Sequence, residues 1–327
     1  MKQTIQKLLI GASVVVGASA IAITPASAIT LSAAQVIGTD FEVWDNIGGV
    51  PGTNCSATAA ICLGSRGTDT SNIIDILAGT APSPGGNIEL FKSSETLALP
   101  NFLAYDQVTS LKTNFSDGTN VTFSSLTAQD LFGSTLNTSY SATTVATTWF
   151  NAAFDANLPS VLTALGLPNE AALFDVLSLF GYNSRASLYN AFLSAGGFQR
   201  TVDPNIAFVN KEGNSVKFGL AGHSDLLFYA PPALRAFLAR SGLNLRASEL
   251  VKVSYDGKEE ILYSFVGSPS NVASNDKSFN FTYVGDPVIV DPPVIDPPTE
   301  SVPEPSAVLG LVAVGGLFAA TRKFKKA

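Results

Sequence analysis

The sequence predicts an α+β fold: a strand- and loop-rich N-terminal segment, a central cluster of helices, then β-hairpins. Three observations carry that expectation. Apolar residues recur at helical spacing across 144–195, and they alternate with polar ones on both sides of Asp256-Gly257. The two patterns are also segregated along the chain. Alternating strands and helices would build a parallel sheet, whereas segregated runs build antiparallel sheets beside helices.

The elements follow in order. From Ile29 to about Ser125 the helical period is weak, and Gly, Ser, Thr, Asn and Pro are frequent. Ile88 to Phe91 and Val121 to Phe123 read as short strands, with Asp117-Gly118 as a turn. Thr144 to Leu158 reads as a helix with Val145, Trp149, Ala152, Ala153 and Phe154 on one face. Pro159, which lacks an N–H, is expected to end it. Asn169 is placed to cap a helix from Glu170 to Gly181, striped by Leu173, Phe174, Val176, Leu177 and Phe180. Ser184 is placed to cap a third, carrying Leu188, Ala191 and Phe192 and stopping at Gly196-Gly197. A fourth runs from Pro232, suited to a first turn, to Gly242.

Strands flank the later helix. Ile206 to Val209 and Val216 to Leu220 border a Glu212-Gly213-Asn214 turn. Val251, Val253 and Tyr255 alternate up to Asp256-Gly257, and Ile261, Tyr263 and Phe265 alternate away from it, which predicts a hairpin. Phe279, Phe281 and Tyr283 make one more strand. Beyond it the unit Val/Ile-Asp-Pro-Pro occurs twice; proline fixes φ and donates nothing to a ladder, so 286–301 reads as an extended stalk.

The two ends read as addresses. Lys2 and Lys7 precede an apolar run to Ile23, and Ala26-Ser27-Ala28 follows a helix-breaking Thr-Pro, so 1–28 is expected to be a secretory leader cut by signal peptidase after Ala28. At the other end Val302, Pro303, Glu304 and Pro305 precede an apolar segment, 306–320, and then the basic cluster Arg322, Lys323, Lys325 and Lys326. Fifteen helical residues span about 22 Å, short of a hydrocarbon core of roughly 30 Å. That suits a transient membrane stop, with the cations held on the cytoplasmic side and the body outside. The order of Pro-Glu-Pro motif, apolar helix and terminal cations resembles the PEP-CTERM sorting signal. The resemblance implies recognition by an exosortase, a membrane-embedded cysteine protease, with removal of the tail and delivery of the body to the cell surface or the extracellular polymer matrix.

A broader likeness covers about 125–285. Gly196-Gly197-Phe198-Gln199-Arg200, Asp203-Pro204-Asn205-Ile206, Gly219-Leu220-Ala221-Gly222-His223 and Val251-Lys252-Val253-Ser254-Tyr255-Asp256-Gly257 resemble a cyanobacterial group of PEP-CTERM proteins whose body has no assigned activity. On this reading 29–285 is an exported globular body and 302–327 the sorting signal.

Composition bounds the chemistry. The chain has 327 residues, 46% of them hydrophobic but only 14% charged, so hydroxyls and amides supply much of its polarity. Of 19 basic residues six lie in the two ends, leaving 13, and of 26 acidic ones only Glu304 does, leaving 25; the part between carries a formal −12. Such a body repels phosphate backbones, and nucleic acid is not an expected partner. Cys55 and Cys62 can close a local disulfide in an oxidising compartment; two free thiols are the other reading. With one histidine and two clustered cysteines no zinc set is available, and no cofactor is expected. His223 lies beside Ser224 and Asp225, but adjacency is not a triad, and a structural role is expected. Asn114, Ser116 and Asp117, or Asp40, Glu42 and Asp45, space oxygens as calcium would need, yet no acid closes either run, and solvated loop acids explain both. Glu259 and Glu260 are expected to face solvent. Trp44, Trp149 and Tyr182 could stack on sugars, although Trp149 belongs to an apolar helix face. The expectation is a non-catalytic envelope or extracellular-polysaccharide-matrix protein. The alternatives are a secreted hydrolase of that polysaccharide, or a carbohydrate-binding or adhesive module.

Overall fold

The computed structural model describes residues 4–5, 29–46, 61–221, 224–225, 232–240, 245–265, 267–270, 272–273, 281–284 and 288–289. Ala26, Ala28, Cys55, the side chain of Cys62, His223, the stalk beyond Ile289 and the sorting tail lie outside them. All the described residues belong to one unit, Met1–Pro292.

The fold is α+β, built on two mostly antiparallel sheets. One runs in spatial order β1 (Thr4–Ile5), β13 (Lys258–Leu262), β12 (Val251–Tyr255), β7 (Asn120–Ser124), β6 (Ser110–Phe115) and β2 (Leu31–Ile37). The other runs β14 (Gly267–Pro269), β16 (Phe281–Val284), β9 (Ser215–Ala221), β8 (Asn205–Glu212), β5 (Gly86–Leu90), β3 (Phe41–Asn46), β4 (Ile61–Ser65) and β15 (Val272–Ala273). The first residues of the expected stalk, β17 (Val288–Ile289), also pair with β9, and Val288 is buried. A small separate pair joins β10 (Ser224–Asp225) to β11 (Arg246–Ala247).

Period-two alternation explains why the sheets stack. β12 buries Val251, Val253 and Tyr255 on one face, and β3 and β5 bury Phe41, Val43, Ile88 and Leu90 on theirs. These side chains meet in one core, where the rings of Phe123 and Phe218, from opposite sheets, lie 5.2 Å apart. The turns match the chemistry of their residues. Asp256 and Gly257 both take positive φ, 46° and 69°, as a two-residue hairpin loop demands.

The helices are α1 (Ile73–Leu77), α2 (Leu99–Ala104), α3 (Ala128–Phe132), α4 (Val145–Leu165), α5 (Glu170–Ser178), α6 (Arg185–Ser194) and α7 (Pro232–Ala239). Side-chain oxygens of Thr127, Thr144, Asn169 and Ser184 accept backbone N–H groups at the starts of α3, α4, α5 and α6. α1 packs Ile73, Ile76 and Leu77 into the core between the sheets, whereas α2, α3, α4 and α6 contribute to an aromatic cluster on the outer face of the first sheet. Ile261, the register partner of Lys252, belongs to their aromatic core, and Lys252 reaches Asp130 of α3 at 3.0 Å.

Two helix ends depart from the sequence reading. α5 stops at Ser178, and the chain turns through Gly181 at φ +88°. α4 does not end at Pro159 but runs on to Leu165, closing at Gly166 in the left-handed conformation. Proline removes one backbone hydrogen bond and crowds the carbonyl four residues back. Here the apolar stripe continues past it: Phe154 and Leu158 on one side, and Val161, Leu162 and Leu165 on the other, all pack into one cluster with α5 and α7. Burial of both halves outweighs the local penalty. Among the described residues no single helix is long and apolar enough to cross a membrane.

Candidate functional site

Three strands of the second sheet carry a polar row on the face turned away from the core. Glu42 of β3 stands opposite Glu89 of β5, and Glu89 stands opposite Asn205 of β8. Two carboxylates directly opposed across a ladder repel. Their neighbours relieve that repulsion unequally. Glu42 pairs with Lys92 at 3.2 Å and accepts from Ser65. Glu89 accepts from Trp44 Nε1 at 2.7 Å, but burial, and to a smaller degree Glu42, push its carboxyl up to about 7.

A second, deeper pair of acids lies next to this row. Asp203 and Glu249 are 3% and 6% exposed. Glu249 accepts the Asn205 backbone N–H at 2.7 Å and its Nδ2 at 2.9 Å; Asp203 accepts Ser94 Oγ at 2.8 Å. Burial holds both carboxyls well above the ordinary range, and Glu249 is raised further by Asp203. Among the described residues the other Asp203 oxygen, Oδ1, has no side-chain donor.

The segment joining α6 to β8, conspicuous in the sequence as Gly196-Gly197-Phe198 and Asp203-Pro204-Asn205, is thereby explained. Gly196 takes φ +78° just past α6, and a Cβ on Gly197 would enter the Phe192 ring. Phe198 is fully buried among Phe132, Tyr189 and Phe192, with ring centroids 5.5, 5.2 and 4.9 Å away. Arg200 pairs with Glu95 at 3.1 Å, and Asp203 and Asn205 enter the buried network. The segment welds the helices to both sheets.

The acids spaced for calcium are held by the protein's own donors. Asp40 accepts from the Ser93 backbone at 3.1 Å and from Tyr105 at 3.0 Å, and Asp45 pairs with Arg66 at 2.7 Å. Asp117 meets Lys211 at 2.6 Å. Among the described residues no group of three or more His, Cys, Asp or Glu is placed to hold a metal ion. Glu259 is exposed, whereas Glu260 accepts from Tyr255 at 3.0 Å. Of the aromatic candidates, Trp149 is 1% exposed and part of the core, and Trp44 is half-buried and committed to Glu89.

An apolar pocket of about 150 Å³ lies between α4, α5, α6 and α7. Its walls include Trp149, Phe150, Phe154, Leu173, Tyr182 and Phe192. It lies along the stretch of α4 where Asn157, Leu158 and Val161 bracket Pro159. The pocket was not legible in the sequence, because most of its wall residues read as ordinary core and nothing along the chain shows that they converge. Comparison with known proteins finds no matching family model, curated relative or solved structure.

Proposed function

We propose that the chain is an exported, non-catalytic component of the cell envelope or extracellular polysaccharide matrix, delivered by exosortase-dependent sorting. The observation that carries this reading is the order of the tail: Val302, Pro303, Glu304 and Pro305, then a 15-residue apolar segment, 306–320, then Arg322, Lys323, Lys325 and Lys326. The segment is too short for a lasting span and is pinned by cations on one side, as a transient stop in the membrane requires. The leader ending at Ala26-Ser27-Ala28 supplies the entry step. The body is consistent with such a role, since the buried carboxylates of Asp203 and Glu249 serve internal hydrogen bonds.

The test is intact mass spectrometry of the exported protein from a wild-type producer and from one lacking the exosortase. The expected mature chain begins at Ile29 and has lost the apolar and basic tail only in the wild type. A C-terminus still ending in Lys326-Ala327 in both strains overturns the reading.

One observation favours a second reading, a secreted polysaccharide hydrolase. Glu89 holds a proton near neutral pH beside the Trp44 ring, with the Glu42 carboxylate opposite, and an acid–carboxylate pair at cross-strand separation is the equipment of a retaining glycosidase. The Lys92 and Ser65 contacts already satisfy Glu42, which favours the first reading. Incubating the protein with the producer's own polysaccharide separates the two. Release of reducing ends that Glu89→Gln abolishes establishes the hydrolase; binding or inertness without release leaves the non-catalytic role.

A further inference from the structure

Residues 201–205, on the path from α6 to β8, are buried throughout and tie the two sheets together. Thr201 O accepts the N–H of Leu250, next to β12, at 2.8 Å, and Val202 O accepts that of Leu126, just past β7, at 3.2 Å. Pro204 O accepts the N–H of Leu90, in β5 of the second sheet, at 3.1 Å. Two carboxyls fasten this crossing. Asp203 accepts from Ser94 Oγ, and Glu249, on the connection between β11 and β12, holds both the backbone N–H and the side-chain amide of Asn205. The charges acting on the pair are other acids: Glu89 from β5, with Glu42 of β3 beyond it, and Glu95 from the turn after β5. The cations of the elements packed here serve other acids, Lys92 pairing with Glu42, Arg200 with Glu95 and Lys252 with Asp130. None of the ion pairs among the described residues includes Asp203 or Glu249. In a dry site without a compensating cation, burial and mutual repulsion keep at least one of two carboxyls protonated.

We propose that the Asp203–Glu249 pair is a proton-operated latch: a retained proton keeps residues 201–205 closed between the sheets, and its loss as pH rises lets this crossing open while the sheets stay folded. The closed latch holds one proton more than the open one, whose carboxyls meet water and ionise in the ordinary range. Burial is the first cause of the tighter hold on the proton in both groups, and the neighbouring acids add to it. The closed form is therefore favoured fully below the ordinary carboxylate range and loses that advantage as pH rises. Opening releases the proton, so its equilibrium constant grows about tenfold with each pH unit until the closed pair itself ionises. The released crossing uncovers the joint between the helices and both sheets, and the body loosens there in alkaline surroundings. The latch is independent of the leader and the sorting signal and stands or falls without them.

Native-state hydrogen exchange on the full chain tests this, with the amides of Leu126, Asn205 and Leu250 as reporters and those of β9 as the reference. Dividing each rate by its intrinsic value removes the direct effect of pH on exchange. From pH 5 to pH 8 the reporters should lose about tenfold or more in protection, and at pH 8 they should exchange ahead of β9, as a local opening requires. Asp203→Asn keeps an acceptor for Ser94 and cannot ionise, so it should remove most of that fall, whereas Glu89→Gln should leave it in place. Glu249→Gln, which keeps an acceptor for Asn205, gives the same reading should Asp203→Asn fail to fold. Reporter protection that is equal at the two pH values, reporters that exchange together with β9 at pH 8, or a fall undiminished in whichever latch variant folds overturns the proposal. Should neither fold, the wild type set against Glu89→Gln decides: a fall that persists in Glu89→Gln supports the latch, and one that Glu89→Gln abolishes assigns the proton to the second sheet and overturns it.

Discussion

Phe198 shows how much one side chain can organise. It sits two residues past the glycine that ends α6, is fully buried, and lies within 6.1 Å of the Trp149 ring as well as closer to three other rings. Phe198→Ala removes one of the aromatic side chains that hold the helices to the junction with β8. The expected loss is about 4 kcal/mol, since the surrounding rings come from separate elements and cannot all close the gap. Chemical denaturation with an unchanged m-value checks it; a loss under about 1 kcal/mol would mean that the aromatic core collapses around the vacancy. The motif containing Phe198 was visible in the sequence, but its meaning was not. Asp203 and Glu249 look like surface loop acids when read along the chain, and only the convergence of Ser94, Asn205 and the end of β11 reveals them as interior groups.

Elements were legible where a local rule acted without competition. The β8–β9 and β12–β13 hairpins needed positive φ at Gly213 and at Asp256-Gly257, and β12 alternates cleanly between buried and half-buried residues. β2 and β6 were missed for opposite reasons. The small residues and shallow burial of β2 give no alternation, while β6 buries Thr113, whose hydroxyl donates to Val121 O at 2.8 Å and so reads as polar on paper. α4 was cut short because local proline chemistry was weighed without the tertiary burial that overrides it. At this scale one ion pair ties the two sheets together. Lys211 of β8, 3% exposed, meets Asp117 from the β6–β7 turn at 2.6 Å. Among the described residues, Asp117→Ala leaves that buried ammonium with the Gly213 carbonyl as its partner. The expected cost is about 3 kcal/mol, at the lower end for a broken buried pair because Asp117 is itself partly solvated. Lys211→Met, which removes charge and donor together, should cost less; the reverse order in thermal melts would show that the pair does not clamp the sheets.

The molecule as a whole carries more buried acid than its cations neutralise, and that sets its response to pH. Glu89 is raised from 4.5 to about 7, mainly by burial, and Asp203 and Glu249 are raised for the same primary reason. A carboxyl whose folded pKa exceeds its unfolded one binds its proton more tightly in the native state. Its stabilising contribution is complete below about 4.5 and is lost as pH rises through the folded value, for Glu89 about 7. The net negative charge of the body acts in the same direction, because self-repulsion grows as these groups ionise. Glu170 works the other way: the Arg185 hydrogen bonds hold its pKa down, so its contribution is present above 4.5 and lost as pH falls through the lowered value. The two trends bracket a stability maximum near pH 5, lower than a protein with solvated acids would show. Between pH 5 and pH 8 the midpoint of thermal unfolding should fall by roughly 5–10 °C, since the Glu89 shift alone is worth on the order of 3 kcal/mol. Glu89→Gln keeps an acceptor for Trp44 and cannot ionise, so it should flatten the part of the decline between about pH 4.5 and 7 while leaving the acid limb intact. A wild-type midpoint that rises from pH 5 to 8, or a Glu89→Gln variant with the same slope, would mean that the row on the second sheet is solvated and charged, and that the polar face between Glu42 and Asn205 is open to whatever surrounds the protein.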